Sequence, residues 1–289
     1  MPSVAFATYD QEPGISADDT LAADVLALAG VTVTGAVWDD PGVDWPAFDA
    51  VVIRSTWDYP LKAEQFERWL RSLAALSSRL WNPPGPVLWN TNKRYLLDLA
   101  GRGVNAVPTE YLTAGDRPDL KAVLERRGWH EAVVKPAVAV GSHGAWRTSR
   151  AAAEADQPRF AGQLGARDVL VQPFLPEVTS RGEWSLVFLG GEYSHAVLKR
   201  PAEGDFRVQE HLGGSSSPAQ ADRALVEQAQ SALAAVGQPL LYARVDGVER
   251  DGQLVLTELE IIEPSLFLGL APAAGQRFAA AIVRLLRGP

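Results

Sequence analysis

The chain has 289 residues and no cysteine, which excludes disulfides, thiolate metal sites, iron–sulfur clusters and cysteine nucleophiles at once. Histidine is nearly as scarce. The four present, at 130, 143, 195 and 211, fall in no paired spacing such as HExxH, so a histidine zinc site is disfavoured. No run approaches the roughly 18 apolar residues of a membrane helix, and the opening "MPSVAFATYDQEPG" lacks a basic region followed by a signal core. The expectation is a cytoplasmic protein with no membrane partner. Positive charge is also in deficit. With 27 Lys and Arg against 35 Asp and Glu, the formal charge of −8 disfavours general nucleic-acid binding, whereas an anionic small ligand depends on local charge alone.

Apolar residues are plentiful. At 47% of the chain they suffice for a sizeable core, and the length predicts two or three packed units. "PSVAFATYD", "VTVTGAVW" and "FDAVVIRST" read as strands around a helix in "SADDTLAADVLALAG", an alternation that indicates a small α/β layer with a parallel sheet. "KAEQFERWLRSLAAL" repeats apolar residues at 66, 69, 70, 73 and 76 as an amphipathic helix does. "WNPPGPVLWN" then places a boundary near residues 82 to 92. A second α/β stretch follows, with a helix through "NKRYLLDLAGRG", a strand in "VNAVPTEYL", a helix near 117 to 127, the strand "EAVVKPAV" and a return to strand in "RDVLVQPFLPE". The remainder is more antiparallel, with hairpins about Gly190–Gly191 and Asp251–Gly252. Helices near 218 to 235 and 274 to 287 are placed to cover that sheet, and "GGSSSP" reads as a short flexible segment.

Several constellations carry chemistry. Lys135 ends an apolar strand, and Gly141 and Gly144 in the loop after it allow backbone amides to turn toward phosphate oxygens. The spacing is neither a Walker A loop nor GxGxxG, and an ordinary hairpin turn stays open. Gln172 to Leu175 end a strand at a proline and offer backbone groups to a purine beside an apolar surface. Arg207, Gln209 and His211 share one side if "GDFRVQEHLGG" is extended, where the five fixed donors of an arginine suit a phosphoryl group or a carboxylate.

The acidic pattern is stronger. In "YARVDGVERDGQLVLTELEIIEP", Glu258 and Glu260 lie on one strand face and the turn brings Asp246 back beside them. Carboxylates so close raise each other's pKa unless a cation intervenes. Oxygen-only ligands suit Mg²⁺ or Mn²⁺; pairing with Arg244 or Arg207 is the alternative. Glu263 is out of the two-residue phase and reads as a substrate-orienting residue or a strand end. Arg54, Ser55, Thr56 and Asp58, at the end of a strand in the first unit, are candidates for gripping an amino acid through its carboxylate and ammonium.

The ordered set "NTNKRYLLDL", "VVKPAVAVGSHG", "VLVQPFL", "GDFRVQEHLGG", "RVDGV" and "LTELEIIEPS" resembles the ATP-grasp superfamily, in its glutathione synthetase and ribosomal-protein glutamate ligase branch. "VVIRSTWDYP" and "ELEIIEPSLFL" most resemble the small ATP-grasp ligases that include the O-ureido-serine cyclo-ligase. The resemblance implies an α/β and α+β fold, with a Rossmann-like pre-grasp domain over 1–90, a central ATP-grasp subdomain over 91–175 and a C-terminal one with the metal site over 176–289. It also implies ATP and Mg²⁺ or Mn²⁺ as cofactors. By matching positions, Lys93 and Lys135 reach nucleotide phosphates, and Ser142, His143 and Gly144 belong to a mobile loop over them. Gln172, Pro173, Phe174 and Leu175 read adenine, Arg207 approaches the transferring phosphoryl group, and Asp246, Glu258 and Glu260 bind metal. Many relatives carry asparagine where Glu260 stands, and the loop here is poorer in glycine than theirs. The implied activity is ADP-forming carboxylate–amine ligation of a small amino-acid-derived substrate through an acyl phosphate. The resemblance also extends to self-association as a homodimer. A peptide or protein-tail ligase and a non-catalytic nucleotide-binding regulatory protein stay open as other readings.

Overall fold

The computed structural model describes residues 1–75 and 79–287. Its first unit runs β1 (Ser3–Thr8), α1 (Ala17–Leu28), β2 (Thr32–Val37), β3 (Ala50–Ile53), α2 (Ala63–Ala74) and β4 (Arg79–Trp81). The strands pair in parallel in the order β2-β1-β3-β4. β3 reads Ala-Val-Val-Ile and is buried throughout, as a parallel strand covered on both faces must be. α1 begins after Ser16, whose hydroxyl oxygen accepts the Asp19 amide and so satisfies one of the free N–H groups of the first turn. α2 turns Phe66, Trp69, Leu70 and Leu73 inward. Leu76, the fifth position of that expected pattern, lies outside the described residues.

The stretch expected as a plain break instead forms α3 (Pro84–Asn90). Pro84 opens it, at the one helical position where a missing N–H costs nothing. Next come α4 (Tyr95–Gly101), β5 (Glu110–Leu112), α5 (Leu120–Arg127), β6 (Glu131–Pro136), β7 (Trp146–Ser149), α6 (Ala153–Ala166) and β8 (Val169–Pro173). Their strands form an antiparallel sheet ordered β5-β8-β6-β7. α6 has no counterpart in the sequence reading. Pro158 sits inside it and reads as a breaker, yet Ala153, Phe160 and Leu164 are buried on one face and hold the helix against the sheet.

The last unit comprises α7 (Glu177–Ser180), β9 (Glu183–Leu189), β10 (Glu192–Arg200), β11 (Ser215–Ala219), α8 (Arg223–Ala234), β12 (Tyr242–Arg250), β13 (Gln253–Glu260) and α9 (Ala274–Arg287). Its sheet is antiparallel, ordered β11-β10-β9-β12-β13. Both hairpin turns take positive φ, at Gly190 and Gly191 and at Asp251 and Gly252, as right-twisted strands joined by two residues require. The segment expected to be flexible contributes β11, which pairs along the outer edge of β10 with Pro218 opposite Val197. An edge strand tolerates that proline because one side needs no N–H.

The two-residue period of this sheet separates two environments. Leu186, Phe188, Ala243 and Val245 join the core containing Leu225 and Ala229 of α8. Val187, Leu189 and Tyr242 turn the other way, onto Phe278 and Ile282 of α9 and Val4 and Phe6 of β1. α9 is therefore shared by the first and last units. Beyond Tyr242 that second face changes character, because the next residues on it are Arg244 and Asp246. Among the described residues no helix is long and apolar enough to cross a membrane.

Candidate active site

A cavity of about 730 Å³ opens over that charged face, bordered by residues 57 and 59–61, the loop 138–144, the segment 207–212 and the exit of β13. A smaller one of about 130 Å³ adjoins it, lined by Lys135 and by Gln172, Pro173, Phe174 and Leu175. Ser142, Lys199, Arg207, Gln209, Glu258 and Glu260 line both. The acidic pair thus stands where the two compartments meet.

Strand register assembles the charged floor. Asp246 lies opposite Glu258 and Ser185, and Arg244 opposite Glu260. A bulge between Asp246 and Gly247 brings that backbone close to β13; a Cβ on Gly247 would stand 2.6 Å from the Val255 carbonyl oxygen. Ser185, Lys199 and Arg244 all donate to Asp246. Burial opposes its ionisation, but Arg244 and Lys199 outweigh that and hold its carboxyl well below the usual range. Lys199 also meets Glu183 at 2.9 Å, and these two carboxylates lift it to about 12 against the cost of burial. Glu260 accepts from Arg244 at 2.6 Å and Glu258 meets Lys93 at 2.9 Å. Burial, set against the pull of Arg244 and reinforced by the charges of Glu258 and Asp246, pushes Glu260 up to about 7. For Glu258 burial is outweighed by Lys93 and Lys135, and its pKa falls.

In this arrangement it is basic side chains that offset the acidic trio. Among the described residues no three acidic or imidazole groups converge into a ready cation cage. Both oxygens of Asp246 are engaged by protein donors, whereas Glu258 and Glu260 are each bonded to a single cation and face both cavities. Asp246, expected as a third ligand, is held here by Ser185, Lys199 and Arg244, and the donor set left open, Glu258 and Glu260, fits a hard divalent ion whose shell is completed by phosphate oxygens.

The glycine-bearing loop covers this floor. Gly141, Ser142 and Gly144 all take positive φ, and a Cβ on Gly144 would come within 2.9 Å of the Pro136 ring. Lys93 reaches the loop, donating to the Ala139 carbonyl at 2.6 Å. Lys135 forms no salt bridge among the described residues. Burial, with the nearby charge of Lys93, pushes its pKa down although Glu258 pulls it up. In the smaller compartment Gln172 is buried and donates to Thr109 Oγ1, and the Arg147 guanidinium lies 3.8 Å from the centre of the Phe174 ring.

Two expectations change in detail. The stretch bearing Arg207, Gln209 and His211 is not extended. Asp205 Oδ1 accepts the amides of Phe206 and Arg207 and bends the chain, and Glu210–Leu212 is a single 3₁₀ turn, yet all three side chains reach the larger cavity. Asp205 also clamps the Arg207 guanidinium, with bonds of 2.7 to 3.2 Å. The second correction concerns Arg54, Ser55, Thr56 and Asp58, none of which lines either cavity. Arg54 is buried against Asp19 at 2.8 Å with Tyr242 and Phe278 rings over it. Asp58 is taken by Trp38 Nε1 and Lys62, and Ser55 and Thr56 are buried beside them. The charges of Arg54 and Asp58 are paired inside the protein, while Arg54 Nη1, Ser55 Oγ and Thr56 Oγ1 are buried with no hydrogen-bond partner among the described residues. Trp57 and Tyr59, which the sequence reading passed over, hold the cavity position instead.

What Arg54 does is visible at the exit of β13. The carbonyls of Ile261, Ile262, Glu263, Pro264, Ser265 and Leu266 are held in turn by Asn82, Tyr242, Trp57, Arg54, Arg244 and His195. The carbonyl at Leu266 can only accept, so His195 carries its proton on Nε2. Side chains from the first and last units thereby fix six successive residues, of which Ile262, Glu263 and Ser265 line the larger cavity.

Comparison with known proteins follows this geometry. Residues 4–82 match the D-cycloserine synthetase DcsG N-terminal domain family, and residues 102–270 the prokaryotic glutathione synthetase ATP-grasp domain family. The chain is 33% identical to the cycloserine biosynthesis protein DcsG of Streptomyces lavendulae, over 96% of this chain and 94% of that protein. It is 30% identical to a probable alpha-L-glutamate ligase of Xanthomonas axonopodis pv. citri, over 74% of this chain and 70% of that one. A crystal structure of D-cycloserine synthetase DcsG superposes with a TM-score of 0.87 at 31% identity, covering 98% of this chain and 99% of that one. An ATP-bound D-alanine–D-alanine ligase from Bacillus anthracis shares the fold, with a TM-score of 0.66 at 14% identity over 98% and 95% of the two chains.

Proposed function

The chain belongs to the ATP-grasp superfamily, in its D-cycloserine synthetase branch, and from that premise we propose that this ATP-using ligase activates a small amino-acid-derived carboxylate for attack by an amine-type nucleophile of the same molecule. The observation that carries the reading is the shared wall: Glu258, Glu260, Lys199 and Arg207 border both the compartment with the Gln172–Leu175 edge and the larger cavity. A phosphate chain lying across that wall would present its terminal group to an acid in the larger space.

The reaction is a phosphoryl transfer followed by acyl transfer. A substrate carboxylate oxygen attacks the γ-phosphorus, the bond to the β-bridging oxygen breaks and ADP leaves. The nucleophile's nitrogen then attacks the acyl carbon, phosphate departs with the C–O bonding pair, and the nitrogen loses a proton. Lys93 and Lys135 supply positive charge to the phosphates, and Arg207 to the group in transit, at positions fixed before the reaction begins. Glu258 and Glu260 would hold Mg²⁺ or Mn²⁺, which when bound neutralises phosphate oxygens. The loop with Gly141 and Gly144 excludes water, which would otherwise hydrolyse the activated acid. No residue of the chain need become a covalent carrier.

Asp205 acts through Arg207. Asp205→Asn is expected to lower kcat about tenfold with little change in the KM for ATP, because the guanidinium loses its clamp. Steady-state ADP release decides it, and an unchanged kcat would remove Asp205 from the account. The reaction itself is tested by incubating pure protein with ATP, Mg²⁺ and pools of small acids and amines, O-ureido-serine included. Acid-dependent ADP and a product of matching mass are expected. AMP with pyrophosphate would point to adenylation instead, and turnover only with a peptide acceptor would favour a protein-tail ligase.

A further inference from the structure

One carboxylate on the larger cavity has no place in the scheme above. Glu263 is only 9% exposed and lines that cavity. Its neighbours on the floor each have a cation: Asp246 has Lys199 and Arg244, Glu258 has Lys93, Glu260 has Arg244 and Glu183 has Lys199. Among the described residues Glu263 forms no salt bridge with any lysine, arginine or histidine. An ionised carboxylate withdrawn from water without a partner is costly. The side chain has little freedom to escape, because the carbonyls on either side of it are pinned from Ile261 to Leu266. A fixed, buried, unpaired acid facing an open cavity is half of an ion pair.

The surroundings specify the other half. Trp57, Tyr59 and Phe267 line the same cavity, and aromatic faces add to the attraction for a cation. Phe267 holds its position at φ 52 and ψ 39, a left-handed conformation that is costly for a residue with a side chain. Positive charge stands elsewhere on the lining, at Lys93 and Arg244. Both are already paired with carboxylates of the floor, so the place left open on this lining is one for a cation. Burial first, then the charge of Glu260, pushes the Glu263 carboxyl up to about 8, and Lys93 offsets only part of this, as expected of a group whose partner arrives from outside.

We propose that Glu263 is the receptor for the ammonium group of the acid substrate and so selects acids carrying a free amino group. The assignment rests on the ligase reading for its substrate, but its test is separable from turnover. Wild type and Glu263→Gln are compared by calorimetry in the presence of Mg²⁺ and a non-hydrolysable ATP analogue, with each enantiomer of O-ureido-serine and its N-acetyl derivative as probes. The expected result is a loss of about 100-fold in affinity for the free amino acid that binds wild type. Affinity for the nucleotide analogue should stay within about threefold, and the preference for the free over the N-acetylated probe should collapse. Where ADP release accompanies binding, KM should rise with kcat nearly unchanged. Equal affinity of wild type and variant overturns the assignment, as does a fall in kcat alone, which would mark a proton-transferring group. A changed Mg²⁺ requirement overturns it as well, because the missing cation would then be a metal. Binding that depends on Glu263 without any ADP release would sink the reaction scheme and leave the receptor standing.

Discussion

Glu258→Gln is expected to reduce ADP-forming turnover by about a thousandfold or more, with the fold retained. The substitution keeps the volume and one acceptor but removes the charge on which two lysines depend. Glu258, at 2.9 Å, raises the Lys93 pKa against the cost of burial. Lys135, already pushed down by burial and by Lys93, has Glu258 as its largest favourable neighbour. With that charge gone, the Lys93 and Lys135 ammonium groups stand near each other with less compensation, and the wall between the compartments loses an oxygen donor suited to a divalent ion. Lys135→Ala should cost a comparable factor by removing the phosphate-facing charge directly. The measurement is ADP release at saturating ATP, with circular dichroism and nucleotide-analogue binding as controls for folding. Near-normal turnover in either variant would refute the role given to that residue.

The acidic floor was legible in the sequence only in part. Alternation puts Glu258 and Glu260 on one face. In the register set by the two-residue turn, with Arg250 opposite Gln253 and Gly247 opposite Leu256, Asp246 would meet Thr257. The bulge between Asp246 and Gly247 moves it opposite Glu258, and no local pattern marks that bulge. Arg244 was readable, two residues before Asp246 on the same face. The pre-grasp candidates lie outside both cavities for a reason that no local pattern contains. Arg54, Ser55, Thr56 and Asp58 do end a strand, but their partners Asp19, Trp38, Lys62 and the Pro264 carbonyl come from elsewhere in the chain. A charged residue at a strand end looks the same whether it awaits a ligand or a distant segment of its own protein. Trp57 and Tyr59 were invisible for the converse reason, since an aromatic residue in a loop carries no mark of the cavity it borders. The helix α6 was hidden by Pro158, and its tertiary packing through Phe160 and Leu164 overrode the local signal. For the same reason the six-carbonyl clamp could not be foreseen: every donor in it is remote in sequence or belongs to another strand.

Asp246→Ala should cost about 3 kcal/mol of folding stability, more than a typical substitution, and for a reason separate from catalysis. Lys199 and Arg244 are both buried, and Asp246 bonds to each of them as well as to Ser185. Its removal leaves Lys199 with Glu183 and Arg244 with Glu260, so each cation keeps one partner and the loss stays below that of a wholly orphaned charge. Asp246→Asn should lose less, because the amide still accepts from Ser185 and fills the space. The pH dependence separates this from simple loss of packing. The Asp246 carboxyl is held below its ordinary value by Arg244 and Lys199 in spite of burial. Its contribution is therefore fully present above the unfolded-state pKa of about 4 and is lost as pH falls through the folded value. Denaturant unfolding of the ligand-free protein should show a gap between wild type and Asp246→Ala that is widest at about pH 5. The gap narrows towards about pH 8, because the variant relieves Glu260, which the Asp246 charge helps to push up to about 7, and it closes under stronger acid. A gap that instead persists unchanged in acid would assign the cost to packing, and would remove the charge network as the element that positions Lys199 and Arg244 beneath the cavity.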